Sequence, residues 1–429
     1  MLSYRTQGFN PYSVAYSPFF DSKIAVAAAA NFGLVGNGRL YVLNLTDSGQ
    51  ILPQAYFDTQ DGLFDLAWSE VHENQVVASS GDGTIKLFDL ATASPPPPAT
   101  GFVGAAAPPT AGKINFPIQV YKEHTREVFS VNWNLAQKHL FCTSSWDGTI
   151  KIWTPDRAQS ISTFVAPVPD TTTIAAVPPA AAAGAPAQKQ NNAHAPGSGP
   201  QSAMAAGAGG GAASGTGPSS IHSAMFSPHN PSIVASVHAD SHVRVWDTRA
   251  YPALTHDFLG HAGLEALTLD WNKYRPTVLA TGGVDKTIKI WDLRMVPGVD
   301  SNNSAAELSA GRVGMAPARV RHSIVAPVNE LLGHDYAIRK IVWSPHSPEM
   351  LLSTSYDMTA RVWRDMTAGS DTSGTTSRYM SRLNHGSGMV NVFHNHTEFV
   401  MGADWSLWGE PGWVATVGWD EMLHVWKAV

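Results

Sequence analysis

Cysteine is almost missing: Cys142 is the single one in 429 residues. No disulfide can form within the chain, which suits a reducing compartment. Its setting, Leu140-Phe141-Cys142-Thr143, reads as a buried strand rather than the surroundings of a nucleophile. Long hydrophobic runs are missing too. The longest, Ile24 to Ala30, is far too short to span a bilayer, and the opening Met-Leu-Ser-Tyr-Arg-Thr-Gln lacks the charged-then-apolar order of a signal peptide. A chain made and kept in the cytosol is expected, and the sequons at Asn44 and Asn395 are read as chance matches. Positive charge is scarce: 28 basic residues stand against 34 acidic ones, giving a formal net charge of −6. With no Lys/Arg-rich run to neutralise phosphates, nucleic acid is excluded as an expected partner. The glycine run at Gly209 has no strand before it and no Lys-Ser/Thr after it, so it is not a phosphate loop. Histidines with ligand-like spacing occur only at His394-Asn-His396 and His238-Ala-Asp-Ser-His242, and in alternating strands or turns such residues are seldom ligands. Neither catalysis, a cofactor nor a metal is expected.

What the sequence has in plenty is repetition. Hydrophobic residues make up 44% of the chain and charged residues 14%, enough apolar material for a large core. Gly283-Val-Asp285-Lys-Thr-Ile-Lys-Ile-Trp291 recurs as Ser145-Trp-Asp147-Gly-Thr-Ile-Lys-Ile-Trp153, as Gly81-Asp82-Gly-Thr-Ile-Lys-Leu-Phe88 and as Ser355-Tyr-Asp357-Met-Thr-Ala-Arg-Val-Trp363. Weaker copies end at Trp246 and Trp426, and a degenerate one runs from Gly36 to Asn44 without the aromatic. Each is preceded by a small-residue apolar strand, and before that by a strand that in most copies ends in Trp, as in Ala266 to Trp271. His124, His261, His334 and His396 lie upstream of that Trp. Together these mark the Gly-His to Trp-Asp pattern of a WD repeat, one four-stranded blade per copy. An all-β, seven-bladed WD-repeat β-propeller spanning 1–429 is therefore expected.

The spacing implies a buried polar chain in which the histidine meets a strand Ser/Thr, the turn aspartate and the terminal Trp. In the fifth blade these are His261, Thr281, Asp285 and Trp291. Elsewhere the same roles fall to His124, Asp147 and Trp153; to His334, Ser353, Asp357 and Trp363; and to His396, Thr416, Asp420 and Trp426. These side chains are read as structural rather than catalytic. Low-complexity inserts at about 91–112, 167–219, 297–321 and 366–387 are read as disordered excursions from blade edges. Only Lys427-Ala-Val429 follow the last Trp, so residues of about Leu2 to Gly8 must supply the outermost strand of the seventh blade and close the ring.

Function is expected on the face that carries the inter-blade loops. The positions before the turn aspartates include Trp146, Tyr356 and Trp419, which can pack between loops or anchor a partner's apolar side chains. Asp61, Glu127, Glu123, Glu265 and Glu398 cluster near the starts of the first strands. They form either a solvated acidic surface or one wall of a groove for a basic, amphipathic peptide.

Several blocks go beyond repeat grammar: Gly8-Phe9 with Tyr16-Ser-Pro-Phe-Phe20, Ala25-Val-Ala, Asn31 to Leu40, Asp61-Gly-Leu-Phe-Asp-Leu-Ala-Trp68, Lys122 to Ser130 and Thr143 to Trp153. They resemble the peroxin-7 family, receptors for type 2 peroxisomal targeting signals, and the resemblance covers all seven blades but not the inserts. It implies an import receptor that captures cargo bearing a short N-terminal amphipathic helix, with Arg-Leu near its start and His-Leu or Gln-Leu near its end. The receptor would act with a co-receptor and the peroxisomal docking machinery, cycling between the cytosol and the peroxisomal matrix. Asp61 and Glu127 match the family's acidic positions facing the signal; Glu123, Trp146, Tyr356 and Trp419 are further candidates. Because WD propellers also serve as scaffolds of other assemblies, a generic scaffold is the alternative.

Overall fold

The computed structural model describes residues 1–30, 37–93, 115–167, 218–299, 325–367 and 388–429. These carry 28 strands, from β1 (Leu2–Arg5) to β28 (Met422–Lys427), and two short 3₁₀ turns. The strands form seven four-stranded antiparallel sheets, the blades of a β-propeller. The innermost strands, in blade order, are β2 (Asn10–Tyr16), β6 (Leu63–Trp68), β10 (Val128–Trp133), β14 (Ile221–Phe226), β18 (Ala266–Trp271), β22 (Ile338–Trp343) and β26 (Val400–Trp405). Most of the four long inserts, and the glycine turn at Gly36 in the degenerate first copy, lie outside the described residues.

Blades stack face to face, so their inner strands are buried on both sides and read as nearly continuous small or apolar runs, as in Lys23–Ala30. Seven apolar clusters follow, one at each interface between neighbouring blades. The third strands contribute Trp153, Trp246, Trp291, Trp363 and Trp426, all buried, with Phe88 in the same role in blade 2 and Leu43 in blade 1. Hydrogen bonds between inner strands accompany every interface. Ser13 donates to Asp65 at 2.7 Å, while Asp65 accepts from Val131 N, Ser130 from Ala224 N, Asp270 from Trp343 N and Asp404 from Tyr16 N. At the remaining two interfaces, the indoles of Trp271 and Trp405 donate to the carbonyls of Met225 and Val342.

The polar chain takes one form in four blades. In blade 5, His261 Nδ1 lies 2.8 Å from Asp285 and Nε2 lies 2.8 Å from Thr281 Oγ1, which also accepts from Trp291 Nε1 at 2.8 Å. An ionised carboxylate can only accept, so Nδ1 carries a proton directed at Asp285. Burial works against the charge on Asp285, yet the hydrogen bond from His261, with Lys289 and Thr287, brings its pKa down to about 2. Gly283 is part of this packing, because a Cβ there would sit 2.8 Å from the His261 ring. The arrangement repeats with His124, Thr143, Asp147 and Trp153; with His334, Ser353, Asp357 and Trp363; and with His396, Thr416, Asp420 and Trp426. Blade 4 reaches the same acceptor from another position. There His238, at the end of the second strand, meets Ser236 at 2.7 Å, and Trp246 donates to the same hydroxyl.

Strand β1 pairs with β28 from Leu2↔Val425 to Arg5↔Met422 and completes the seventh blade. Ser3 Oγ meets His424 Nδ1 at 2.8 Å, Thr6 N donates to Glu421 O, and Tyr41 OH donates to Thr6 O from blade 1. Leu2 and Tyr4 pack into the cluster between blades 7 and 1.

Two stability predictions follow from this arrangement. Deleting residues 2–5 strips half-buried Leu2 and Tyr4 and a row of ladder bonds from blade 7. The urea midpoint should fall by the equivalent of about 3 kcal/mol, and the bared edge of β28 should promote association detectable by light scattering. Thr281→Val leaves Trp291 Nε1 without an acceptor and His261 Nε2 without its partner. It should cost about 2–4 kcal/mol by urea denaturation, whereas Thr281→Ser should cost under about 1 kcal/mol.

Candidate functional site

Each inner strand begins with a bulge. Pairing with the second strand slips between Pro11 and Ser13, Leu63 and Asp65, Val128 and Ser130, Ile221 and Ser223, Ala266 and Thr268, Ile338 and Lys340, and Val400 and Gly402. The seven residues left without a ladder partner are Tyr12, Phe64, Phe129, His222, Leu267, Arg339 and Met401, and all seven surround one end of the central channel. A bulge bends the strand and re-aims its odd residue. Here it does so seven times, building a collar from five apolar or aromatic side chains and two polar ones. Gly402 permits the close approach of blades 7 and 1, since a Cβ there would fall 2.9 Å from Ser13 Cα.

The collar continues into the loops as an arc of rings. Tyr356 meets Phe399 edge-on with centroids 5.0 Å apart, Phe399 meets Trp419 at 5.5 Å, and Trp419 meets Tyr12 at 5.6 Å. Tyr12 then lies 5.2 Å from Phe64, Phe64 stacks on Phe129 at 4.8 Å, and Phe129 stacks on Trp146 at 4.4 Å. Trp146 Nε1 donates to His222 Nδ1 at 3.3 Å, and His222 Nε2 lies 3.3 Å from Glu265. Trp146, Tyr356 and Trp419 are half-buried: each packs against its neighbours and keeps part of its ring in solvent. Burial pushes the phenols of Tyr12 and Tyr356 up, with Arg339 pulling the other way, so both remain protonated donors at neutral pH.

The acidic candidates divide. Asp61, in the loop entering blade 2, accepts from Gly62 N at 2.7 Å and has no cationic partner within ion-pair distance among the described residues. Gly81 leaves room for it, because a Cβ there would meet the Phe64 ring at 3.1 Å and the Asp61 carboxylate at 3.2 Å. Glu127, in the loop entering blade 3, lies 3.5 Å from Arg126, whose guanidinium stands 5.5 Å from the Trp146 ring centre. Both carboxylates thus flank the stacked Phe64, Phe129 and Trp146. Glu398 directly precedes Phe399, while Glu265 is engaged with His222. Glu123 is not brought to this group: it accepts from Ser160 N and Oγ at 3.0 and 2.6 Å and lies 3.2 Å from Lys151, a cross-link within blade 3.

Other sequence candidates for chemistry have structural partners. Cys142 is fully buried, its thiol donates to Ala224 O at 3.6 Å, and burial pushes its pKa well up. His396 uses both ring nitrogens, on Asp420 and Thr416; the nearby His424 gives Nδ1 to Ser3. His242 is bonded to Asp257, and His394 is exposed. The collar itself escaped the sequence reading. Its signal is a repeated triplet at the start of the first strands, an apolar residue, a variable large one and a mostly small polar one, as in Leu63-Phe64-Asp65, Val128-Phe129-Ser130 and Ile221-His222-Ser223.

Phe129 stacks on rings on both sides, Phe64 and Trp146. Phe129→Leu should lose the stacking alone, about 1 kcal/mol in urea unfolding, and should shift the fluorescence of Trp146; Phe129→Ala should cost about 2–3 kcal/mol.

Comparison with known proteins agrees with the repeat pattern. The model of the WD domain, G-beta repeat, matches residues 115–154, 213–247, 253–292 and 326–364, the third to sixth blades. The blades it passes over include the first, without the aromatic, and the second, which has Phe88 for Trp and no upstream histidine. The chain is 41% identical over 437 aligned residues to the peroxisomal targeting signal 2 receptor of Saccharomyces cerevisiae, covering all of both chains. It is 42% identical over 428 residues to the protein of that name in Komagataella phaffii, covering 100% of this chain and 99% of the relative. To that of Mus musculus it is 30% identical over 426 residues, covering 99% and 96%.

Proposed function

Because this chain belongs to the family of peroxisomal targeting signal 2 receptors, we propose that its collar face receives the N-terminal signal helix of cargo proteins bound for the peroxisomal matrix. A peroxisomal targeting role follows from membership. The finer reading rests above all on one observation: two carboxylates, Asp61 and Glu127, border a continuous arc of aromatic side chains on a single face, in which Phe129, Trp146, Tyr356, Phe399 and Trp419 are half-buried. An amphipathic helix with arginine near its start and leucines along one side has the complementary chemistry. Its leucines would lie on Trp146, Phe129 and Trp419, and its guanidinium between the two acids. Arg126 would yield Glu127 to the incoming cation, since an exposed pair at 3.5 Å holds little free energy.

Tyr356, on the far limb of the arc, is placed to meet the other end of the helix. A short helix leaves its outer side uncovered, so a co-receptor would close over it and share this face. The receptor would then pass with its cargo through the docking machinery and cycle between cytosol and peroxisomal matrix. Among the described residues no helix is long and apolar enough to cross a membrane. The relatives bear the name of a receptor rather than an enzyme, and the titratable groups of the repeats are occupied in structural networks. A generic scaffold would account for the ring but not for the acid-flanked arc.

The test is fluorescence anisotropy of a labelled type 2 signal peptide, with and without a candidate co-receptor. Asp61→Arg and Glu127→Arg should each weaken co-receptor-assisted binding roughly 100-fold, about 2.7 kcal/mol, and Asp61→Ala by roughly tenfold or less. Circular dichroism should be unchanged in all three. Absence of binding by the wild type, with and without co-receptor, would return the chain to the scaffold reading.

A further inference from the structure

The channel does not end as it begins. At the collar end the side chains leave a space of about 10 Å³, room for about one water. Below it the channel widens into a cavity of about 230 Å³ that reaches the loops joining first and second strands, on the face opposite the collar. Those loops carry Phe19, Val71, Leu135, Tyr274, Leu407 and Trp408, whose relative exposures run from 38% to 49%. Leu135 and Leu407 line the cavity itself, and large apolar side chains on five of the seven loops of this face mark an interaction surface rather than scattered surface residues. The rim is also built firmly: Trp408 Nε1 donates to Ser17 O at 3.0 Å, and Tyr274 OH to Pro345 O at 2.6 Å.

The cavity behind the rim has a charge of its own. Asp65, Glu70, Asp270 and Asp404 line it with Lys273 and Lys340, and Lys138, just outside the lining, stands 3.5 Å from Glu70. Lys273 is taken up by Asp270 at 2.7 Å, and Lys340 stands 3.8 Å from Asp65. Asp404 is left with backbone donors only, Tyr16 N and Trp405 N, and burial raises its pKa to about 6. Two further polar groups of the lining residues, the Tyr16 hydroxyl and the Trp343 indole nitrogen, are buried without a hydrogen-bond partner among the described residues.

We propose that this face is a second docking site, for an apolar segment of a partner protein that inserts one lysine or arginine into the acid-lined channel. The apolar side chains of the segment cover the rim and its cation faces Asp404, the one lining carboxylate with no ammonium within ion-pair distance among the described residues. The site is separate from the collar, so cargo signal and second partner can be held at once on opposite faces, and it does not depend on the signal-binding assignment.

The experiment uses the full chain and the labelled, end-blocked pentapeptide Leu-Phe-Lys-Phe-Leu, with a counterpart carrying Glu for Lys, in anisotropy titrations. The lysine peptide should bind, the glutamate peptide should bind at least tenfold more weakly, and the exposed-rim variants Leu135→Glu and Val71→Glu should each weaken the lysine peptide at least tenfold. Asp61→Arg should leave its binding unchanged. Loss with Asp61→Arg would place the peptide on the collar face and overturn the proposal, as would indifference to both rim variants, equal binding of the two peptides, or no binding. Binding that emerges only in Arg319→Gln/Arg321→Gln would also overturn it, assigning the face to the chain's own arginine-bearing insert. So would a dimer in sedimentation that Leu135→Glu dissolves, which would make the face a contact between two copies.

Discussion

A ring of stacked blades has no outer layer at which fraying can begin, provided that its last blade is whole. That condition is met by one pairing, between Leu2–Arg5 and Met422–Lys427, which joins residues from opposite ends of the sequence in a single sheet. The same two ends of the chain meet again where blade 7 packs on blade 1, with Tyr16 N donating to Asp404 and Trp408 Nε1 to Ser17 O. The seven apolar clusters and the side-chain bonds between inner strands then act around a closed circle, in which no interface opens without strain on its neighbours. The collar inherits this rigidity, because its seven residues sit on the inner strands themselves.

The buried polar chains explain how a blade of small, slippery strands keeps its register. A one-residue slip would exchange the faces of the strand and strip His261 of Thr281 and Asp285 together. Blade 4 shows that the acceptor, not the histidine, is the constant element. His238 arrives from the end of the second strand, yet Ser236 still holds both the imidazole and the indole of Trp246. Blade 2 does without a histidine, tying Asp82 to Lys86 and Thr84 instead. The repeat therefore tolerates several polar solutions as long as the inter-blade clusters stay apolar.

Much of this was legible in the sequence, because repeats expose equivalent positions to comparison. The seven blades, their closure from the N-terminus and the positions of the turn aspartates follow from spacing alone. The collar does not, because the bulge selects a place and not a residue type: Tyr12, His222, Arg339 and Met401 share nothing but their offset from the strand start. Glu123 illustrates the converse. It is four residues from Glu127 and just as acidic, but the chain turns at His124, and the carboxylate faces Lys151 and Ser160 instead of the channel. Which side of a loop a residue faces is decided by its partners in other strands, and these lie far off in sequence.

Cys142 closes no bridge within the chain, and its burial makes it a reporter. It is the sole thiol of the chain, sealed between blades 3 and 4 with its proton held firmly by the apolar surroundings. A thiol-specific dye can reach it only when two blades part, so the labelling rate is a clock for ring breathing that requires no engineered probe. The same seclusion leaves the surface free of competing thiols. A cysteine introduced on either face can be derivatised selectively, and the distance between a cargo on one side and a ligand on the other can be followed by energy transfer in the otherwise native molecule.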